Sequence, residues 1–244
     1  MIEMPAEKLG RRRGRRGTAE TAEAEFEARQ TEREKDLSEW IPRTALGKSV
    51  AAGKITSIEE IFEKNIPILE PEIVDTLLNL EEKVIDSQKT TRMTMAGRKF
   101  SFRSAVLVGN RNGYIGLGTA KDTEKWPAVK KAKRRARLNV VKINRGCGSW
   151  ECTCGTQHSV PFKVSGKSSS VKVTLLPAPK GTGLVVGDTI KDVFRFAGIT
   201  DVWSNCFGSK DTRLNFYRAA IDALEKTTEM KASNEIMKKD EKKK

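Results

Sequence analysis

Apolar and polar positions change their spacing along the chain, and each change predicts an element. KTTRMTMAG (89–97) and KFSFRSAVLVGN (99–110) alternate with a period near two, which predicts two strands with Gly97 close to their connection. Asn112-Gly113 is the sharpest hairpin signal in the chain, and YIGLGTA (114–120) reads as a third strand. From Glu124 to Val140 the period becomes helical. Trp126, Val129, Ala132, Ala136 and Val140 stand three or four residues apart and form one narrow apolar stripe. The predicted order is β-β-β-α. A second such region begins at Val160. VPFKVSG and SVKVTLLPAP form a hairpin joined by Gly166 to Ser170. Asp188 is placed to cap a helix that runs through Ala197 and stops at Gly198. DVWSNCF (201–207) is a short strand, and Thr212 is placed to cap a last helix carrying Leu214, Tyr217, Ile221 and Leu224. Its order is β-β-α-β-α, so the expected fold class is α+β.

Upstream the pattern is shorter and more acidic. SIEEIFEK (57–64) has Glu60 three residues after Ser57, a capping-box arrangement. PEIVDTLLNL (71–80) reads as a helix with Pro71 in its first turn. Residues 1–39 hold only scattered apolar positions and read as a charged tail. The expected organisation is therefore a tail (1–39), short helices (40–83), a first domain (84–146), a Cys-rich linker (147–159), a second domain (160–228) and a Lys-rich tail (229–244). No apolar run approaches the ~18 residues of a membrane span. The opening residues have no apolar stretch resembling a secretory signal. Four cysteines in 244 residues make no disulfide framework, so a cytoplasmic, reduced protein without a membrane partner is expected.

Charge changes this picture. The chain carries a net +14, yet residues 87–146 alone hold 16 basic and 2 acidic side chains. Residues 40–86 hold 5 basic and 9 acidic ones. A block as one-sided as 87–146 repels itself unless it meets a polyanion, and nucleic acid is the default partner. The acidic stretch before it would be repelled by RNA, so it should pack on its own chain or on a protein neighbour. Candidate RNA-facing residues are Arg92, Arg98, Lys99 and Arg103 on the first hairpin, then Asn110, Arg111, Asn112, Gly113 and Tyr114 at the turn. Lys121 follows. The predicted helix shows Lys130, Lys131, Lys133, Arg134, Arg135 and Arg137 as a wall of cations beside its stripe, with Lys142 and Arg145 after it. In the second domain the candidates are Lys180, Gly181 and Gly183 in a basic loop, and Arg213. Arg11, Arg12, Arg13, Arg15 and Arg16 lie within six positions and suit an RNA-binding arm.

Other chemistry is weaker. GNRNGYIGLGTAK (109–121) is Gly-rich but lacks both the P-loop and the dinucleotide spacing. Its strand glycines would let another backbone approach closely, here a ribose-phosphate chain. Cys147, Cys152, Cys154 and His158 match a zinc ligand set by residue type. Their spacing, C-x4-C-x-C-x3-H, matches no common zinc knuckle. The competing reading is a turn-rich linker with small buried thiols, so no cofactor is expected and zinc at these four residues stays open. No paired carboxylates, H-E-x-x-H or G-x-S-x-G is present. No catalytic constellation emerges.

GRKFSFRSAVLVGNRNGYIGLGTAK followed by a basic helix, then VPFKVSG, TLLPAPKGTGLVVGD, AGITDVWS and DTRLNFYRAAIDAL, together resemble the S-five family of small-subunit ribosomal proteins. The similarity runs in order from about residue 40 to 228. EWIPRTALGK, KNIPILEPEIVD and RGCGSWECTCGTQHS look like the archaeal and eukaryotic branch, and most like archaeal members. The resemblance implies a first domain folded like a double-stranded RNA-binding domain and a second α/β domain with a left-handed crossover. It implies a non-enzymatic constituent of the cytoplasmic small ribosomal subunit that binds rRNA where messenger RNA enters. It places S-four, S-three and S-eight family proteins beside it and gives it roles in assembly, decoding accuracy and messenger unwinding. The family's accuracy-linked hairpin loop corresponds to Ala96, Gly97, Arg98 and Lys99. Its rRNA-facing Gly-rich turn corresponds to 110–114. GKSSS (166–170) lacks a glycine that the family pattern places in that turn. The alternatives are a free duplex-RNA-binding regulator and an RNA-directed enzyme with a zinc site at Cys147–His158.

Overall fold

The computed structural model describes residues 40–229. The Arg cluster at 11–16 and the two tails, apart from Glu229 and its predecessors, lie outside the described residues. Among the described residues, three short helices come first: α1 (Ala45–Ala51), α2 (Ile58–Glu63) and α3 (Pro71–Leu77). Thr44 caps α1 by accepting from the Gly47 N–H at 3.0 Å, and Pro71 sits in the first turn of α3 as predicted. Ser57 and Glu60 meet side chain to side chain at 2.9 Å, although the Ser57 hydroxyl caps no backbone N–H of α2.

A four-stranded antiparallel sheet follows, in the order β1 (Glu81–Thr94), β2 (Gly97–Gly109), β3 (Tyr114–Asp122), β4 (Val140–Lys142). The helix α4 (Lys125–Leu138) crosses one face. β1 begins eight residues before the alternation at Lys89, because a bulge between Val84 and Asp86 breaks the period that sequence reading depends on. Val140 leaves the predicted helix to start β4 on the edge beside β3. The stripe of α4 is Ala128, Val129, Ala132 and Ala136; Trp126 is 74% exposed. At about 100° per residue, Trp126 lies roughly 105° around the helix from the centre of that stripe, so a chain of three-residue steps carried it off the buried face.

The strand glycines of β3 do admit a second backbone, but it is α4. A Cβ on Gly116 would stand 2.3 Å from the Ala136 carbonyl oxygen, and one on Gly118 would stand 2.1 Å from that of Ala132. Helix and sheet are in direct backbone contact, and no room remains there for ribose-phosphate. The opposite face of this sheet is buried too. Val106, Val108, Tyr114 and Ala120 pack with α4 and the short helices, whereas Leu107 and Ile115 belong to the core of the second half. That two-sided burial explains the unbroken apolar run at 105–108.

The second sheet has the order β5 (Val164–Ser168), β6 (Val171–Pro177), β8 (Val202–Phe207), β7 (Leu184–Val185), with β7 parallel to β8 and the rest antiparallel. β7 has two residues and was not legible in the sequence. Asp188 does not cap the next helix. It opens a 3-10 turn (Asp188–Ile190) and pairs with Lys191 at 2.6 Å, while Ile190 occupies the cap of α5 (Lys191–Ala197). Gly198 stops α5 in a left-handed conformation as predicted. In the β5–β6 turn Ser169 takes the positive φ, 56°, that a glycine would adopt more readily. The last helix, α6 (Arg213–Glu229), lies on β5 and β6 through Phe216, Tyr217, Ala219, Ala220, Ala223 and Leu224. The architecture is α+β, two sheets with helices packed on them.

Candidate nucleic-acid interface

The structure sorts the candidate cations into exposed and internally paired groups. The β1–β2 arm carries the clearest exposed set. Every residue from 91 to 100 is exposed, on both faces of a two-stranded ribbon that turns through Met95-Ala96 into Gly97. Arg92 and Lys99 face each other across it, and Arg98 is one position on. Met93, Met95 and Phe100 share this arm with no core beneath them, and the Lys89 ammonium lies 3.9 Å from the Phe100 ring centroid. Arg103 is half-buried where the arm joins the sheet. A two-stranded ribbon without an apolar face is marginal in water by itself, so the arm calls for an external partner.

Helix α4 shows part of the predicted wall of cations: Lys130, Lys131, Arg134 and Arg135 are exposed, whereas Lys133 and Arg137 are half-buried. Arg137 turns inward, with Nη1 2.8 Å from Asp75 and Nη2 2.8 Å from Glu82. Lys133 reaches Glu82 at 2.6 Å, Arg134 lies 3.7 Å from Glu72, and Lys131 is 4.0 Å from Asp122. Burial alone would raise the Glu82 carboxyl, but the hydrogen bond from Lys133 and the nearby Arg137 charge outweigh it and hold it below the ordinary carboxylate range. The acidic segment thus packs on its own chain, as charge balance predicted, and it neutralises half the helix. Arg135 donates to the Thr119 carbonyl at 2.8 Å yet stays exposed, and Lys130 and Lys121 are exposed. Lys130 makes no ion pair among the described residues.

The turn at 110–114 is likewise used inside the fold. Asn110 Oδ1 accepts from the N–H groups of Asn112 and Tyr114. The N–H groups of Arg111 and Gly113 donate to the Phe196 and Ala197 carbonyls at the end of α5. Tyr114 is buried, stacked on Phe62 at 6.0 Å, and burial with the Glu59 charge pushes its hydroxyl up to about 12. Gly113 and Tyr114 are buried, whereas Arg111 and Asn112 remain exposed. Arg111 pairs with Glu81 at 2.7 Å. Arg145 bonds the Asn112 side chain and the Arg111 and Gly198 carbonyls, tying the two halves together, and Lys142 pairs with Glu59 at 3.2 Å.

On the second half, Lys180, Gly181 and Arg213 are exposed and Gly183 is half-buried. The loop's shape comes from Asp201, which sequence reading missed. Its Oδ1 accepts from the N–H groups of Gly181 at 3.1 Å and Gly183 at 2.8 Å. Those amides are thus engaged internally and not open to a phosphate, leaving Lys180 as the loop's free cation. Asp201 itself reads as an ordinary strand-start residue in the sequence, and only the return of β8 to the loop reveals its role. The Cys-rich segment, expected to be an indifferent linker or a metal site, brings Cys147, Cys152, Cys154 and His158 into one cluster. No helix among the described residues is long and apolar enough to cross a membrane.

Comparison with known proteins agrees with the arrangement of two successive sheet-and-helix halves. Residues 80–144 match the family described as ribosomal protein S5, N-terminal domain, and residues 166–240 match ribosomal protein S5, C-terminal domain. A small ribosomal subunit protein uS5 of Methanothermobacter thermautotrophicus is 53% identical over 204 residues, 83% of this chain and 94% of the relative. Those of Staphylothermus marinus and Aeropyrum pernix are 54% and 56% identical, over 78% and 79% of this chain and 90% and 88% of theirs. The chain therefore belongs to the ribosomal protein S5 family, in the company of archaeal relatives.

Proposed function

We propose that this protein is a structural, non-enzymatic constituent of the cytoplasmic small ribosomal subunit that binds rRNA through its β1–β2 arm and the outer edge of α4. The observation that carries the reading is the arm. Its ten consecutive exposed residues hold Arg92, Arg98 and Lys99, which make no ion pair among the described residues, on a ribbon that lacks a core of its own. Lys121, Lys130, Arg135, Lys180 and Arg213 are further exposed cations open to phosphates, and the Arg11–Arg16 cluster adds a tail contact. Such contacts neutralise phosphates and set orientation; they do not read base sequence.

The finer reading follows family resemblance. The first half, with β-β-β-α order, acts as a double-stranded-RNA-binding-like domain, and the β7–α5–β8 connection is a left-handed crossover. The protein sits where messenger RNA enters, beside S-four, S-three and S-eight family proteins. There the 96–99 tip bears on decoding accuracy, and the whole supports assembly and messenger unwinding. The test is sedimentation of lysate through a sucrose gradient after a high-salt wash, with this protein followed by antibody. Retention in the small-subunit peak is expected for the parent. A variant with Arg92, Arg98 and Lys99 changed to alanine should shed from that peak at lower salt, because each lost phosphate contact flattens and weakens binding. Release of the parent into the light fractions would instead describe a free RNA-binding regulator and would overturn the reading.

A further inference from the structure

We propose that Cys147, Cys152, Cys154 and His158 hold one Zn2+ ion, and that through His158 and Asp201 this ion fixes the loop at 179–183. This goes beyond the ribosomal reading and does not depend on it.

The four potential ligand atoms all lie within 4.8 Å of one another. Tetrahedral zinc with bonds of about 2.3 Å to sulfur and about 2.0 Å to nitrogen places its ligands roughly 3.5–3.8 Å apart. Cys152 Sγ is already 3.8 Å from His158 Nε2. The chain converges by identifiable steps. Gly146 and Ser159 form an antiparallel bridge, with N–H···O bonds of 2.9 and 2.8 Å, so that Cys147 and His158 are brought together at its outer end. Gly148 then donates to Val160 at 3.3 Å, in a space where a Cβ would meet the Pro161 carbonyl oxygen at 1.9 Å. The Cys152 N–H returns to the Ser149 carbonyl, and Gly155 reverses the chain at a positive φ of 60°.

Hydrophobic burial does not account for this convergence. None of residues 147–157 belongs to either buried core, and Trp150 between the first two cysteines is exposed. A disulfide would join only two of the three thiols and would leave the imidazole without a role. Three thiolates and an imidazole suit Zn2+, not a hard cation, and four protein ligands close the site, so the ion is structural. On binding, each thiol gives its proton to solvent, and the loaded site carries one net negative charge.

The partner of the histidine gives the site its reach. His158 Nδ1 is 2.9 Å from Asp201 Oδ2, with both side chains buried, which turns Nε2 toward the thiols. The contact is out of line for a well-formed hydrogen bond, and Nδ1 has no other partner. A carboxylate behind a ligating imidazole is the usual orienting group of a zinc site. The same carboxylate receives the Gly181 and Gly183 N–H groups and the Thr200 hydroxyl, and the His158 carbonyl receives the N–H groups of Thr200 and Asp201. Ion, imidazole, carboxylate and basic loop thus form one connected chain of contacts. Asp201 is a positioning residue in it.

The test uses the full chain, produced with zinc and purified under reductant without chelator. Metal analysis should find one Zn2+ per chain, retained in Cys206→Ser and lost in Cys152→Ser. Cobalt exchanged for zinc should show the intense visible bands of a tetrahedral site with thiolate charge transfer. A zinc-replete parent without stoichiometric metal, zinc retained in Cys152→Ser, or cobalt spectra without tetrahedral bands would each overturn the site. Because Cys152→Ser can fail to fold, the parent is also stripped by chelation and read by amide hydrogen exchange. Exchange at Gly181 and Gly183 should rise about tenfold or more, the scale of losing a hydrogen bond to a charged group. Unchanged exchange there after zinc removal would overturn the link to the loop.

Discussion

Arg137 decides whether α4 is held mainly by its own acidic segment. Its side chain is 15% exposed and bridges Asp75 (9%) and Glu82 (10%) through separate guanidinium nitrogens. Replacing it with alanine takes the guanidinium away from two nearly buried carboxylates. Breaking a buried pair by removing one partner costs about 3–5 kcal/mol. Lys133 stays on Glu82, which puts the expected loss at the lower end, about 3 kcal/mol. For a domain of this size that is a fall in Tm of roughly 6–12 °C. The assay is thermal unfolding of the purified full chain followed by circular dichroism at neutral pH, at low and high salt. The drop should persist in salt, because a buried pair is poorly screened. Arg137→Lys should fall between parent and alanine, since one ammonium cannot serve both carboxylates in the same geometry. Lys130→Ala, on the exposed side of the same helix, should stay within about 0.5 kcal/mol. An Arg137→Ala protein that melts within about 2 °C of the parent but loses rRNA affinity would refute the reasoning and restore the outward-facing helix.

Two further outcomes follow from the packing and the charges. Gly118→Ala should destabilise by about 1–3 kcal/mol in the same melts, because its Cβ would stand 2.1 Å from the Ala132 carbonyl oxygen and push α4 off the sheet; an unchanged Tm would mean the helix has slack there. Stability should be flat at neutral pH and fall in acid: Glu82, despite burial that works the other way, is held below its ordinary value by Lys133 and Arg137. Groups lowered in the fold stabilise it above their unfolded values, about 3.9–4.3, and that contribution is lost as pH falls through the folded values; Glu82→Gln should flatten the acid limb of a Tm-against-pH series.

Much of the fold follows from local pattern. Alternation, Asn112-Gly113, Gly198 and the Ala stripe of α4 place most strands and helices because period and turn chemistry are properties of neighbouring residues. The family motifs, spread in order over most of the chain, were legible for the same reason. What the sequence could not settle was which groups find each other across long separations. Sequence shows sixteen cations in one block but not that Glu72, Asp75 and Glu82 come back to neutralise three of them on α4. It shows strand glycines but not that a helix fills the space they leave. Trp126 reads as core until the drift of the stripe rotates it to solvent. The spacing of Cys147, Cys152, Cys154 and His158 looks irregular because their convergence is made by the Gly146–Ser159 bridge and by Asp201, 43 residues beyond His158. Local periodicity determined the elements; the tertiary structure decided the partners, because charge pairing, backbone contact and ligand geometry depend on distances that sequence separation does not encode.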